Sequence, residues 1–186
     1  MTKIKLGILI SGRGSNMHAI IQACYDQNFP AEVSCIITNN NSAPGLKIAT
    51  QIGIPAFVVH DKPLDETSIH ELLVQHAVDL VCLAGFMRIL TSDFISKWYN
   101  KIVNIHPSLL PAFKGLNPQK QALQSGVKTV GCTVHYVTSE VDNGAIIIQS
   151  TVPVLLNDNI HSISKRILDA EHKCYVQAIK LLAQLH

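Results

Sequence analysis

Short β-branched, leucine-rich runs alternate with segments of helical period along the N-terminal half of the chain, and few architectures accommodate that order. Ile4 to Ile10 is the first such run. It ends at Ser11-Gly12, and in the next segment, Asn16 to Gln27, the apolar residues Met17, Ile20, Ile21 and Cys24 recur at helical spacing. Further candidate strands are Val33 to Thr38, Ala56 to Val59, Asp79 to Ala84 and Lys101 to Ile105, with helix-like segments Gly45 to Ile52, Glu66 to His76 and Thr91 to Tyr99 between them. The repeated strand-helix order predicts an α/β fold with a mostly parallel central sheet and helices on both faces. Continuous apolar runs such as Leu80-Val81-Cys82-Leu83-Ala84 fit strands buried on both sides, which parallel sheets require.

After Ile105 the pattern changes. Pro107, Pro111, Pro118 and Gly115 break up the chain, so Pro107 to Asn117 is expected to be a shaped loop, a kind of segment that often carries function. Lys128 to Val137 and Gly144 to Val154 read as two strands joined by Thr138 to Asn143, an antiparallel C-terminal addition to the sheet. Asn159 to Leu185 reads as one long helix, with apolar residues at Ile160, Ile163, Ile167 and Leu168, then Cys174, Ile179 and Leu182. The 186 residues suit a single domain, and 47% hydrophobic against 15% charged residues suits a well-filled core.

Charge and spacing narrow the partners. A formal net charge of +2, without a Lys/Arg run, argues against a nucleic-acid binder and for small molecules. The longest uncharged apolar stretch, Leu80 to Met87, is eight residues, whereas a membrane span takes about 20. Met1 to Lys5 leads into an apolar run, but Gly12-Arg13-Gly14 follows where a signal peptide would need a cleavage site, so the run is taken as a strand. Five cysteines without a C-x-x-C pair suit reduced core residues in a cytoplasmic protein, and the histidines show no metal-ligand spacing, so no metal is expected.

Three places stand out chemically. In Ser11-Gly12-Arg13-Gly14-Ser15-Asn16, glycines between a strand and a helix let backbone N–H groups approach an oxyanion at the positive helix end, which suits a phosphate monoester. The same residues also suit a plain tight turn. Met17 replaces the third glycine of the dinucleotide fingerprint, and no P-loop lysine is present. In Asn104-Ile105-His106-Pro107, residues two apart on a strand put an amide and an imidazole on one face, at the strand end where open parallel sheets bind ligands. Asp142, in Val141-Asp142-Asn143-Gly144, is ordinary turn chemistry unless the turn folds over the strand ends. In that case carboxylate, imidazole and amide could stabilise a tetrahedral oxyanion and move a proton. Ser108 lacks a nucleophile-elbow setting, which favours direct attack by a substrate nucleophile. Finally, Leu83 to Leu90 offers Gly85, Phe86, Met87 and Arg88 at a strand end, a lining for a flat heterocycle or simply core.

Ile10 to Asn16, Leu83 to Leu90, Asn104-Ile105-His106-Pro107-Ser108-Leu109-Leu110-Pro111 and Glu171-His172 together resemble the phosphoribosylglycinamide formyltransferase family, in order and over roughly Ile4 to Leu182. The resemblance implies a Rossmann-like domain spanning residues 1–186, with a nucleotide-phosphate half over about 1–100 and a catalytic, folate-binding half over about 101–186. It implies transfer of a formyl group from 10-formyltetrahydrofolate to the amine of glycinamide ribonucleotide in purine synthesis, by a monomer or homodimer. By similarity Asn104 and His106 would polarise the formyl carbonyl, His106 would donate a proton, and Asp142 would hold His106. Gly14, Ser15 and Asn16 would hold the substrate phosphate, and Glu171 the ribose hydroxyls. Met87, Arg88, Ile89 and Leu90, together with Asn104, Thr138, Ser139, Glu140, Val141 and Asp142, would form the folate pocket, and His135 would support the site.

The chain departs from the family pattern at Asn117, where histidine is common, at Val176, where proline often follows the tyrosine, and around Lys62, where some members place an arginine toward the folate tail. None of these removes a proposed catalytic group. A formyltetrahydrofolate deformylase would share asparagine, histidine and aspartate but usually carries an additional N-terminal domain, and a methionyl-tRNA formyltransferase needs a further domain and a basic surface. A catalytically silent binding module is disfavoured by the joint presence of Asn104, His106 and Asp142. Met17 argues against a nicotinamide-dependent oxidoreductase.

Overall fold

In the computed structural model, which describes residues 3–185, seven strands pair in the order β3-β2-β1-β4-β5-β6-β7. Met1 and Thr2, the start of the segment weighed above as a signal peptide, lie outside the described residues. The strands are β1 (Ile4–Ile10), β2 (Ala31–Thr38), β3 (Ala56–Val58), β4 (Leu80–Leu83), β5 (Ile102–His106), β6 (Thr129–Tyr136) and β7 (Ile146–Pro153). The first five are mutually parallel, while β6 and β7 pair antiparallel, as the sequence pattern predicts. The helices are α1 (Ser15–Cys24), α2 (Pro44–Ile52), α3 (Glu66–Gln75), α4 (Ser92–Lys97), α5 (Pro118–Ser125) and α6 (Ile160–Ala183).

Strand period two divides the core between the sheet's faces. Ile8, Ile36, Cys82, Val103 and Val134 point toward α1, α2, α5 and α6, burying Met17, Ile20, Ala49, Ala122, Ile167 and Tyr175. Leu9, Ile37, Val81, Leu83 and Ile102 point the other way, against Ile69 and Leu73 of α3 and Phe94 and Ile95 of α4. Both faces are dry, which accounts for the unbroken apolar runs.

Local chemistry sets the helix ends. Asp65 caps α3 by accepting from Ser68 N at 3.0 Å, Thr91 caps α4 from Phe94 N, and Asn159 with Ser162 forms a reciprocal capping box at α6. Thr91 and Asn159, read from sequence as first helical residues, are therefore caps. Helix α5 was not anticipated. Ala122 and Leu123 are the only apolar residues after Pro118 in Pro118 to Ser125, too few to show a period, and the helix starts from Asn117 in the left-handed region with Pro118 in its first turn. Among the described residues no helix is long and apolar enough to cross a membrane.

Sheet order reverses between β1 and β4, so their following loops leave toward opposite faces and open a crevice at the strand carboxyl ends. Helix α6 braces this rim from below through Tyr175, whose fully buried hydroxyl bridges the Leu83 and Val103 carbonyls of β4 and β5, at 3.1 Å each. Tyr175→Phe should cost about 1–2 kcal/mol, because buried carbonyls lose their donor. Urea unfolding should show a lower midpoint at unchanged slope, and an unchanged midpoint would refute the bracing role.

Candidate active site

Pairing of β5 with β6 brings the polar side chains together. Asn104 lies opposite His135 and His106 opposite Thr133, so the period of two puts all four on one face, the one on which Ile102 packs in the α3–α4 core. The ladder shifts register at His135, where β7 carries an extra residue, and such irregularities often re-aim side chains next to sites. Asn104 Nδ2 lies 3.3 Å from His135 Nε2, and His135 Nδ1 lies 2.8 Å from the Tyr136 carbonyl. A carbonyl only accepts, so Nδ1 carries a proton; Nε2 accepts from Asn104 in the neutral ring and donates toward Asp142 when the ring carries a second proton.

The turn bearing Asp142 folds over these strand ends. Its carboxylate Oδ2 lies 3.2 Å from His106 Nδ1, and Oδ1 lies 3.6 Å from His135 Nε2, long for a hydrogen bond. Gly115 N donates to Oδ2 at 2.9 Å. Asp142 takes this place in the left-handed region, at φ 51°, which an aspartate tolerates better than a bulkier residue. Burial pushes its carboxyl up, but His135, the Gly115 amide and His106 outweigh burial and hold it below the usual range. It is therefore a carboxylate at neutral pH, buried and directed at imidazole.

The Pro107 to Asn117 loop also reaches the imidazole. His106 Nε2 lies 3.0 Å from the Phe113 carbonyl, while Ser108 Oγ is buried and donates to the Ala112 carbonyl. Both ring nitrogens of His106 thus face acceptors. A ring protonated on both donates to both, whereas a neutral ring satisfies only one. The backbone at Phe113 and Gly115 escaped the sequence reading, because main-chain groups leave no mark on residue type; only the prolines and Gly115 signalled a shaped loop.

The second cluster lies at the start of α1. Gly14 is the N-cap, at φ 72°, and supplies no side-chain cap, so the first N–H groups of the helix remain available to an anion. A Cβ on Gly14 would come to 3.0 Å from Gly45 Cα, so glycine is needed here for both conformation and close approach. Ser15 is partly exposed and Asn16 is buried, donating from Nδ2 to Glu171 Oε2 of α6 at 2.7 Å. Asn16 Oδ1 is buried without a partner. A cleft lined by Arg13, Ser15, His18 and His172, with Ala19 and Ile48, opens beside this helix end.

The residues that the family resemblance would place around a folate divide differently. Met87, Ile89 and Val141 are exposed at 72%, 78% and 53%, and Thr138, Ser139 and Glu140 are exposed too, but the Leu90 side chain is in the core at 5%. A contact from Leu90 to a ligand is left to its backbone. Arg88 Nε lies 3.5 Å from Asp61, and Lys62 is exposed beside it. Among the described residues no group of three or more His, Cys, Asp or Glu side chains is arranged to hold a metal ion.

Burial drives the Glu171 carboxyl up from 4.5 to about 7, only partly offset by the bond from Asn16. Between those values the folded state holds a proton that the unfolded chain has lost, so stability falls as pH rises through this window. Glu171→Gln removes the penalty. It should therefore be more stable than the parent at pH 8, by up to about 3 kcal/mol, with the difference closing near pH 4. Thermal unfolding across pH checks this, and a difference independent of pH would refute it.

Comparison with known proteins accords with this geometry. The family model described as formyl transferase matches residues 4–179. The trifunctional purine biosynthetic protein adenosine-3 of Gallus gallus is 43% identical over 97% of this chain, which spans only 18% of that protein's length. The phosphoribosylglycinamide formyltransferase of Haemophilus influenzae is 41% identical over 95% of this chain and 85% of its own. A crystal structure of phosphoribosylglycinamide formyltransferase from Anaplasma phagocytophilum superposes with a TM-score of 0.96 at 54% identity, covering 98% of this chain and 88% of that one. A carboxylate, two imidazoles and an amide converge at the rim of a sheet that this family shares, and the chain belongs to the phosphoribosylglycinamide formyltransferase family.

Proposed function

We propose that the chain transfers the formyl group of 10-formyltetrahydrofolate to the amine of glycinamide ribonucleotide, in purine biosynthesis. The observation that carries this reading is the convergence of Asn104, His106, Asp142 and His135 at the end of β5, in a sheet whose first strand leads into the uncapped start of α1.

The amine nitrogen attacks the formyl carbon, a new C–N bond forms, and the carbonyl π electrons move onto oxygen. The Asn104 amide, turned by His135, and the His106 ring donate to that oxyanion, where fixed donors act most strongly because they need no reorganisation. Collapse breaks the bond from the formyl carbon to folate N10. His106 delivers a proton to the departing nitrogen, and the proton released by the attacking amine restores the His106–Asp142 pair. Asp142, ionised and buried, orients the ring and stabilises its charged form. Its Phe113 partner must release Nε2 if that nitrogen serves the substrate.

Gly14, Ser15 and Asn16 hold the substrate phosphate at the helix end, and Glu171 receives ribose hydroxyls while Asn16 fixes its orientation. Met87 to Leu90 and Thr138 to Asp142 flank the folate ring, the exposed Met87, Ile89 and Val141 offering apolar surface to it. In this reading residues up to about 100 carry the nucleotide subsite and the rest carry catalysis and folate, with Glu171 crossing over from α6. Four of the five cysteines are buried and all are free, which suits a reducing, cytoplasmic setting.

Appearance of tetrahydrofolate, followed by absorbance, should depend on glycinamide ribonucleotide. Release of formate at the same rate without it would make water the acceptor and overturn the reading. His106→Ala and Asp142→Asn should each reduce kcat/KM on the order of hundreds-fold while leaving the fold intact. Near-normal turnover would remove that residue from the mechanism. The unphosphorylated riboside should be a very poor substrate, and equal turnover would reject the α1 assignment.

A further inference from the structure

The 86–91 segment displays Met87 and Ile89 to solvent while burying Phe86 and Leu90, so apolar packing holds only part of it. Polar tethers hold its two ends, and they lead back to two carboxylates, Asp61 in the connection from β3 to α3 and Glu66 in the first turn of α3. Asp61 can only accept hydrogen bonds. Asn39 therefore turns Nδ2 toward it, at 2.5 Å, which leaves Asn39 Oδ1 to accept from Ser11 Oγ at 2.6 Å. With its proton committed, the Ser11 oxygen accepts from Met87 N at 2.8 Å. The direction of every bond in this chain follows from the charge at Asp61, which also faces Arg88 Nε. At the far end Glu66 accepts from Thr91 N at 2.7 Å and from the Thr91 hydroxyl, whose oxygen in turn caps α4.

We infer that Asn39, Asp61 and Glu66 are positioning residues that hold the 86–91 segment in the shape that receives the formyl donor. The inference rests on the assignment of that segment to the folate subsite made above. The partly exposed Asp61–Arg88 pair contributes little as an ion pair. What Asp61 supplies is direction: with an amide at position 61, Asn39 can present either end to it, Ser11 loses its fixed acceptor, and Met87 N loses its partner. The route also begins at Ser11, the residue that opens the nucleotide loop, and Ser11 N donates to Gly85 O at 3.1 Å. Both substrate subsites are thereby fastened to one framework, although only the donor side depends on the carboxylates.

The test uses the full chain with Asp61→Asn. KM for 10-formyltetrahydrofolate should rise about tenfold, while kcat and KM for glycinamide ribonucleotide stay within about twofold, the pattern expected when binding of one substrate is weakened. Amide exchange at Met87, read by NMR, should accelerate with no fall in thermal midpoint. Asn39→Ala should do the same, and Glu66→Ala should raise the donor KM with faster exchange at Thr91, so the inference remains testable if Asp61→Asn folds poorly. An unchanged donor KM in a folded variant, or an equal rise for both substrates, would overturn it. Failure of the underlying reading would look different: a parent without formyl transfer would sink the activity, and a faster Met87 exchange with an unchanged donor KM would sink the folate assignment of the segment while leaving the tether in place.

Discussion

Three segments meet on the carboxylate of Asp142: the end of β5 through His106, the loop that follows it through the Gly115 amide, and the end of β6 through His135. A carboxylate with its side chain only 9% exposed is costly unless donors surround it, so the position of the turn bearing Asp142 depends on groups that the sheet and the loop supply. That condition makes the site a product of tertiary structure. It also explains the direction in which Asp142 is displaced, since the donors favour the ionised form by more than burial opposes it.

Glu171 is displaced in the opposite direction, with one amide for company and a buried oxygen of that amide unpaired. The two carboxyls thus suit different work. One is a fixed negative charge beside an imidazole, and the other is an acceptor whose hydrogen-bonding capacity is left over when the protein stands alone. An orphaned polar oxygen beside a half-satisfied carboxyl is expensive in a folded protein and is understandable where a polyhydroxylated ligand completes the set.

Much of the architecture could be read from residue order, because parallel strands buried on both faces leave continuous apolar runs and helices leave a period; β1 begins and ends where Ile4 and Ile10 predict. Helix α5 escaped because its sequence is polar and its start depends on the backbone at Asn117. Of the site, Asn104 and His106 were legible from strand alternation alone. Asp142 was indistinguishable from an ordinary turn residue until family resemblance singled it out, since the fold of a turn over a sheet rim leaves no local pattern. The Asn39, Asp61 and Glu66 tethers had no signal at all: their partners are side chains and main-chain N–H groups far away along the chain.

The reversal of chain direction at β6 has a consequence for how finely the site is held. In a wholly parallel sheet, ligands meet the residues just beyond each strand's carboxyl end, on segments free to wander. Because β6 returns alongside β5, His135, one residue from the end of β6, enters from a paired strand, opposite Asn104 of β5 on one side and Ile146 of β7 on the other. Its backbone was immobilised when the sheet formed, so keeping the Asn104 amide aimed consumes no additional ordering when substrate arrives. One wall of the cluster is thus fixed by sheet pairing, independently of the turn that carries Asp142 to it.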